Sequence, residues 1–242
     1  MSLAFRKSWV SIFSSIVLIA LASFKAGAGG AGESGSIRDV SGFDSVRFGT
    51  SGELVITQGD RDALEITASA RDLASIVTEV RGGTLYIGRE GSGSVFSFRP
   101  PVFRLTMKSI AGLETHSSGK IVANSLRAGS LRIRISSSGG ISIDSLAADS
   151  LDVQISSSGS LKVAGTVKQQ DIRLSSSGSY MARDLASRTA KVNVSSSGSA
   201  TLRVSDSLEA NVTSSGDVRY YGNPPRVNRN VTSSGRLLSL GN

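Results

Sequence analysis

The sequence predicts an all-β fold, a parallel β-helix of stacked coils, each about twenty residues long. Three observations predict it. A Ser-Ser-Gly triplet recurs at near-constant spacing, and β-branched residues alternate with polar ones ahead of each triplet. Aromatic residues make up only 5% of the chain, too few for a compact core built on large rings.

The triplet stands at 117–119, 137–139, 157–159, 176–178, 196–198, 214–216 and 233–235, so successive glycines are 20, 20, 19, 20, 18 and 19 residues apart. Four residues before the glycine come Ile135, Ile155, Leu174, Val194, Val212 and Val231, and six before it Ile133, Val153, Ile172, Val192, Ala210 and Arg229. Between them lie Arg134, Gln154, Arg173, Asn193, Asn211 and Asn230. Period-2 alternation rich in branched side chains is strand. A unit this short cannot bury its own apolar row. Stacked on the next unit, each Ile or Val meets its equivalent about 4.8 Å along the axis. Leucine-rich repeats share the period but need a Leu/Asn consensus that is missing, and a β-sandwich requires no such regularity.

Each triplet reads as a stacked corner. Inward parity carried forward places Ser137, Ser157, Ser176, Ser196, Ser214 and Ser233 on the interior side, where hydroxyls of neighbouring coils can hydrogen-bond along the axis. The glycine suits a corner where a Cβ would crowd, or where φ is positive. Seven residues before the glycines, Arg132, Asp152, Asp171, Lys191 and Glu209 form an outward row of mixed sign, which avoids a like-charge ladder.

Residues 36–116 lack the short repeat and are expected to form a β-meander cap with the first coils. Strands are predicted from Gly42 to Phe48, through Leu54-Val55-Ile56 after Ser51-Gly52, from Ala63 to Ala70, and from Val102 to Met107. Gln58-Gly59-Asp60 reads as a turn, and Gly82-Gly83 as the turn of a hairpin between Val80-Arg81 and Thr84-Leu85-Tyr86-Ile87. At the other end, Tyr220-Tyr221-Gly222-Asn223-Pro224-Pro225 interrupts the last coil; the tyrosines either cap the core or form a contact patch.

The first residues carry the three parts of an export signal. Arg6 and Lys7 precede an apolar stretch from Trp9 to Ala22, and Ala26-Gly27-Ala28 supplies small residues for cleavage. The stretch is short for a bilayer span, which takes about 20 residues. The expected division is a signal peptide at 1–28, a flexible linker at 29–35 and a β-helix domain at 36–242. Removing the signal lowers the net charge from +8 to +5, with 24 basic against 19 acidic residues. That is a mildly basic surface without the clustered Lys/Arg and stacking aromatics of a nucleic-acid binder. The chain has no cysteine, which excludes disulfides, thiolate metal sites, a thiol nucleophile and a lipid-bearing Cys.

Gly42-Phe43-Asp44-Ser45-Val46, the Gln58-Gly59-Asp60 turn, Gly83-Thr84-Leu85-Tyr86-Ile87, the serial Ser-Ser-Gly coils and Tyr221-Gly222-Asn223-Pro224 together resemble the head-GIN domain family of auto-transporter adhesins. The resemblance covers residues 36–242. It implies an exported bacterial protein with a right-handed β-helix, and it brings no catalytic residues. The many alternating strands of about 10 residues that build a membrane barrel are not read here, so the expectation is the head alone.

Reaction chemistry is sparse. His116, the single histidine, would have to serve any Ser-His-Asp triad, but it takes a corner place that other coils fill with Ser or Thr. A zinc site lacks further His or Cys ligands, and no cofactor is expected. Asp152 and Asp171 occupy equivalent places on successive coils and are the carboxylates to weigh for glycoside hydrolysis, which needs a pair about 5–9 Å apart. The favoured function is a non-catalytic, adhesin-like or envelope-associated binding module in the periplasm or at the cell surface, with an envelope polysaccharide or surface component as partner. The alternative is a polysaccharide lyase or hydrolase on the same scaffold. Outward Ser136, Ser156 and Ser175 raise a third reading, an ice- or mineral-binding array.

Overall fold

The computed structural model describes residues 34–90 and 99–241. The expected signal peptide, and the linker up to residue 33, lie outside the described residues. Ser34 and Gly35, expected in the linker, instead open β1 (Ser34–Arg38), pairing with Ala68 and Thr67.

The chain continues through β2 (Ser45–Phe48), β3 (Glu53–Gln58), β4 (Ala63–Ala68), helix α1 (Ala70–Ser75), β5 (Ile76–Arg81), β6 (Thr84–Arg89), β7 (Val102–Met107) and β8 (Gly112–Thr115). The coils follow: β9 (Lys120–Ile135), β10 (Gly140–Ile155), β11 (Ser160–Ser175), β12 (Ser179–Ala182), β13 (Leu185–Ser195), β14 (Ser199–Arg203), β15 (Ser207–Val212), β16 (Asp217–Tyr221), β17 (Arg226–Val231) and β18 (Arg236–Ser239). From β8 onward all pairing is parallel and in register, as in Ile133↔Val153↔Ile172↔Val192↔Ala210. The fold is therefore the parallel β-solenoid the repeat predicts, with about six turns.

Each coil bends around a ladder on either side of the Ser-Ser-Gly corner. The stretch before the corner forms a first face, running from β6 through β2 and β8 to the later coils. The stretch after it forms a second face, running from β7 through β3 to β9 and beyond. One buried column inside the first face is Leu85, Val46, Leu113, Ile133, Val153, Ile172, Val192 and Ala210. Each Val, Leu or Ile so buried contributes about 1.5–3 kcal/mol of transfer free energy. The column ends at Arg229 on β17, exposed in the last coil. An inward-register charge there hinders a further strand from adding to the edge.

The N-terminal part is more than a meander. β2 and β3 make a complete coil around a Thr50-Ser51-Gly52 corner, inserted between the β6–β7 coil and the β8–β9 coil that follow it in sequence. Antiparallel β1, β4 and β5 cover the outer side. The predicted hairpin is present: Arg81 pairs with Thr84 across Gly82 and Gly83, with φ of 55° and 74°. The strand expected to reach Ala70 stops at Ala68, because Ser69 caps α1 by accepting from the Asp72 backbone N–H. Asp72, with no exposed surface, is paired with Arg89.

The corners correct one expectation and refine another. No Ser-Ser-Gly glycine has a positive φ; that conformation falls on Ser176, Ser196, Ser214 and Ser233 instead. Glycine is needed for space: a Cβ on Gly139 would lie 2.4 Å from Ser117 O, and one on Gly159 2.2 Å from Ile135 Cγ2. Nor do the interior serines bond to one another. Ser117, Ser157 and Ser176 Oγ donate to carbonyls of the coil before, Thr50 O at 2.6 Å, Ser136 O at 3.1 Å and Ser156 O at 3.1 Å, while Ser196, Ser214 and Ser233 are exposed. A carbonyl is the stronger acceptor within reach, so hydroxyl-to-carbonyl bonding wins over a hydroxyl ladder. The first 19-residue step, from Gly159 to Gly178, is absorbed at Gly165: one residue separates it from Val163 where two separate Ile143 from Leu146, and a Cβ there would meet Leu146 O at 2.1 Å.

Candidate functional site

Alternation along the first face sends three columns outward. One runs Ser45, Gly112, Arg132, Asp152, Asp171, Lys191, Glu209. The next runs Tyr86, Arg47, Glu114, Arg134, Gln154, Arg173, Asn193, Asn211. The third begins at His116 and continues through Ser136, Ser156, Ser175 and Ser195. Parallel register thus turns a sequence repeat into lines of like chemistry about 4.8 Å apart.

Salt bridges order the charged columns. Arg173 reaches Asp152 at 3.1 Å and Asp171 at 2.6 Å, and so neutralises a like-charge neighbour pair. Each carboxylate of the candidate glycosidase pair is therefore a ladder residue engaged by an arginine. Lys191 and Glu209 meet at 2.8 Å; their hydrogen bond holds the Glu209 carboxyl below its usual range and raises the Lys191 ammonium. At the other end, Arg47 grips Glu114 through Nε at 2.9 Å and Nη2 at 2.8 Å while lying 5.1 Å over the Tyr86 ring. Asn211 Nδ2 donates to Asn193 Oδ1 at 3.0 Å.

His116 is exposed, as its corner place predicts, yet it sits in a line. Its Nε2 is 3.2 Å from Glu114 Oε1 and its Nδ1 is 2.9 Å from Ser136 Oγ. Sequence alone did not bring these three together, because Ser136 belongs to the next coil. The group has the residue types of a hydrolase triad. However, the Ser136 N–H, a natural oxyanion donor, is spent on Thr115 O at 3.1 Å, and Arg47 already neutralises Glu114. Among the described residues no group of three or more His, Asp or Glu is placed to hold a metal ion. No helix among them is long and apolar enough to cross a membrane.

A buried polar group escaped the sequence reading. Gln170 occupies the column of Leu131 and Leu151; its Oε1 accepts from Tyr180 Oη at 2.7 Å and its Nε2 donates to Ser187 Oγ at 2.7 Å. Ser187 donates to Arg203 O at 2.8 Å. Tyr180 fills its column between Leu161 and Ala200, and burial pushes its phenol far above the ordinary value. The signal that could have exposed the group is a glutamine in an otherwise leucine column. Of the two terminal tyrosines, Tyr220 packs on the core as a cap would, and half-buried Tyr221 lies under the guanidiniums of Arg183 at 4.9 Å and Arg203 at 5.3 Å.

The geometry agrees with what the chain is similar to. The sequence profile of the family described as "Putative auto-transporter adhesin, head GIN domain" matches residues 42–224. Among solved structures, a putative adhesin from Bacteroides fragilis superposes with a TM-score of 0.81 at 22% identity, covering 86% of this chain and 97% of that one. A protein from Parabacteroides distasonis described as a putative lipid binding protein gives 0.72 at 24% identity, with 88% and 98% covered. A putative adhesin from Parabacteroides merdae gives 0.68 at 20% identity, with the same coverages of 88% and 98%. At these identities the likeness shows a shared fold. The comparison with curated proteins finds no match. With three quarters of its length matched by the profile and the solenoid that its repeat dictates, the chain belongs to the head GIN domain family of putative auto-transporter adhesins.

Proposed function

We propose that this chain is an exported, non-catalytic, adhesin-like module that holds an envelope polysaccharide or cell-surface component along the first face of its solenoid. The observation that carries the reading is the in-register set of polar columns on an open face, which offers repeated donors and acceptors to a repeating partner. Engagement of Asp152 and Asp171 by Arg173, and of Glu114 by Arg47, favours a binding role over a hydrolytic one. Export rests on Arg6, Lys7, the apolar stretch to Ala22 and Ala26-Gly27-Ala28. Cleavage after Ala28 leaves residues 29–242 in the periplasm or at the cell surface, a location that N-terminal sequencing of the fractionated protein tests.

The functional test is retention of protein-coated beads on envelope preparations and whole cells, with the supernatant analysed for released saccharide. Saturable retention without product supports the module. Release of oligosaccharide, or beads that adhere no better than albumin-coated ones, overturns it.

A further inference from the structure

We infer that the notch over Gly112 on the first face is a binding site for the carboxylates of an acidic polysaccharide. This deepens the interaction reading above and rests on it. Gly112 stands between Ser45 and Arg132 in its outward column, where later coils carry Asp152, Asp171 and Lys191. Beside it lies a hollow of about 210 Å³, rimmed by Ser45, Arg47, Thr84, Glu114, Arg132 and Arg134; Ser45 Oγ closes one wall, 2.9 Å from where a Cβ on Gly112 would stand. Pockets for drug-sized ligands run from about 300 Å³ upward; this one suits a single charged group on a longer chain.

The charges around the hollow are unmatched. Arg132 and Arg134 project from the same side of β9, about 7 Å apart along the strand. Among the described residues neither makes an ion pair or a side-chain hydrogen bond. The in-register partner of Arg132 is Asp152, but that carboxylate is turned to Arg173 at 3.1 Å. Arg47 faces the same hollow with its charge spent on Glu114, so three guanidiniums share one carboxylate. Further along the face the cations are matched: Arg173 with two aspartates, Lys191 with Glu209. Two free planar forks beside this hollow are built for bidentate capture of a carboxylate, which a lysine cannot reproduce.

The neighbourhood selects a sugar polymer over a lipid surface. Leading away from the notch along the axis are Ser136, Ser156 and Ser175 in one column, and in another Gln154 and Asn193 on either side of Arg173, whose charge is matched by two aspartates. The Tyr86 ring under Arg47 adds a flat platform at the near end. Exposed large apolar side chains, which would enter a membrane, lie away from the notch: Ile37, Met181 and Leu238 belong to the second face, and Val227 to the last coil of the first.

The test measures binding of the purified chain to polygalacturonate, to the same polymer with its carboxyls methyl-esterified, and to phosphatidylglycerol vesicles. Variants are Arg132→Ala/Arg134→Ala, Arg132→Lys/Arg134→Lys, and a control pair of equal charge loss on the second face, Arg104→Ala/Lys162→Ala. Thermal midpoints confirm that each is folded. Expected results are binding of the acid but not the ester, and a loss of about tenfold or more in the Ala pair. The Lys pair recovers only part of it, and the control stays within about twofold. Equal binding by the Ala pair overturns the notch while leaving the interaction reading intact. Equal binding of the ester, or capture of vesicles without polygalacturonate, also overturns it. Absence of glycan binding by the wild type does the same, and the bead assay then judges the broader reading independently.

Discussion

Replacing Gly139 with alanine tests the claim that the corners are glycine for want of space. The new Cβ would stand 2.4 Å from Ser117 O, 2.6 Å from Gly119 O and 3.1 Å from Thr115 Oγ1. Two of these are backbone atoms of the coil below and cannot rotate away. Ordinary contact begins near 3.4 Å, so the coils must part by about 1 Å at this corner. That opening strains the ladder bonds Gly140 N to Gly119 O and Ser136 N to Thr115 O, now 3.3 and 3.1 Å. Overpacking costs about 1–3 kcal/mol, and weakening two backbone bonds adds up to about 1 kcal/mol each, so the loss is about 3 kcal/mol. In a domain of this size that lowers Tm by about 6–12 °C. Gly129→Ala is the internal control: nothing lies within 4 Å of its Cβ and its φ is not positive. It should stabilise by about 0.4–1 kcal/mol through the unfolded chain. Urea titration followed by circular dichroism, with calorimetry for Tm, reads both. Gly139→Ala within about 0.5 kcal/mol of wild type, or indistinguishable from Gly129→Ala, would refute the steric reasoning.

Other outcomes follow from the buried and charged groups. Tyr180→Phe leaves Gln170 Oε1 without its donor and should cost about 1–3 kcal/mol, whereas Tyr180→Phe combined with Gln170→Leu should recover part of it; a double-mutant cycle in urea measures the coupling. Because burial raises the Tyr180 phenol above its unfolded value near 10, the unfolded chain loses that proton first. The associated stability is complete below about pH 10 and erodes above it, so the gap between wild type and Tyr180→Phe should narrow by up to about 1.4 kcal/mol per pH unit there; a constant gap from pH 9 to 11 would contradict burial. Arg173→Ala unmasks Asp152 and Asp171 on adjacent rungs, and denaturation at low and high salt should show a loss of at most about 1 kcal/mol that shrinks with salt.

The solenoid was legible because its information is repeated. Seven Ser-Ser-Gly copies and the Ile/Val parity before them fix a coil length and an inward side, and Gly82-Gly83 announces its hairpin locally. The N-terminal order was not legible. The β2–β3 coil has a single degenerate corner, Thr50-Ser51-Gly52, and its place between two later coils is decided by pairing over long sequence distances. α1 went unread because Ser69 and Asp72 act as a cap only once β4 has ended. Of the corner serines expected inside, Ser196, Ser214 and Ser233 are exposed, and the others bond to carbonyls of the preceding coil, since side-chain parity says nothing about which carbonyl comes within reach. The notch sets Gly112 beside two arginines about twenty residues downstream, and only the register between β8 and β9 joins them.

The outward columns and the notch exist only if successive coils stack in parallel register, and a chain without cysteine permits a clean test. Ser130 and Ser150 are in-register partners whose hydroxyls lie 2.8 Å apart, and Gln169 follows on the next coil. Neighbouring rungs are about 4.8 Å apart, within the span of a disulfide, while alternate rungs at about 9.6 Å exceed its limit of about 7 Å. Mild oxidation of Ser130→Cys/Ser150→Cys should give one intramolecular cross-link in near-quantitative yield, mapped by mass spectrometry, and Ser130→Cys/Gln169→Cys should give none. Failure of the first pair to close, or equal closure of the second, would contradict the stacked register and the face built on it.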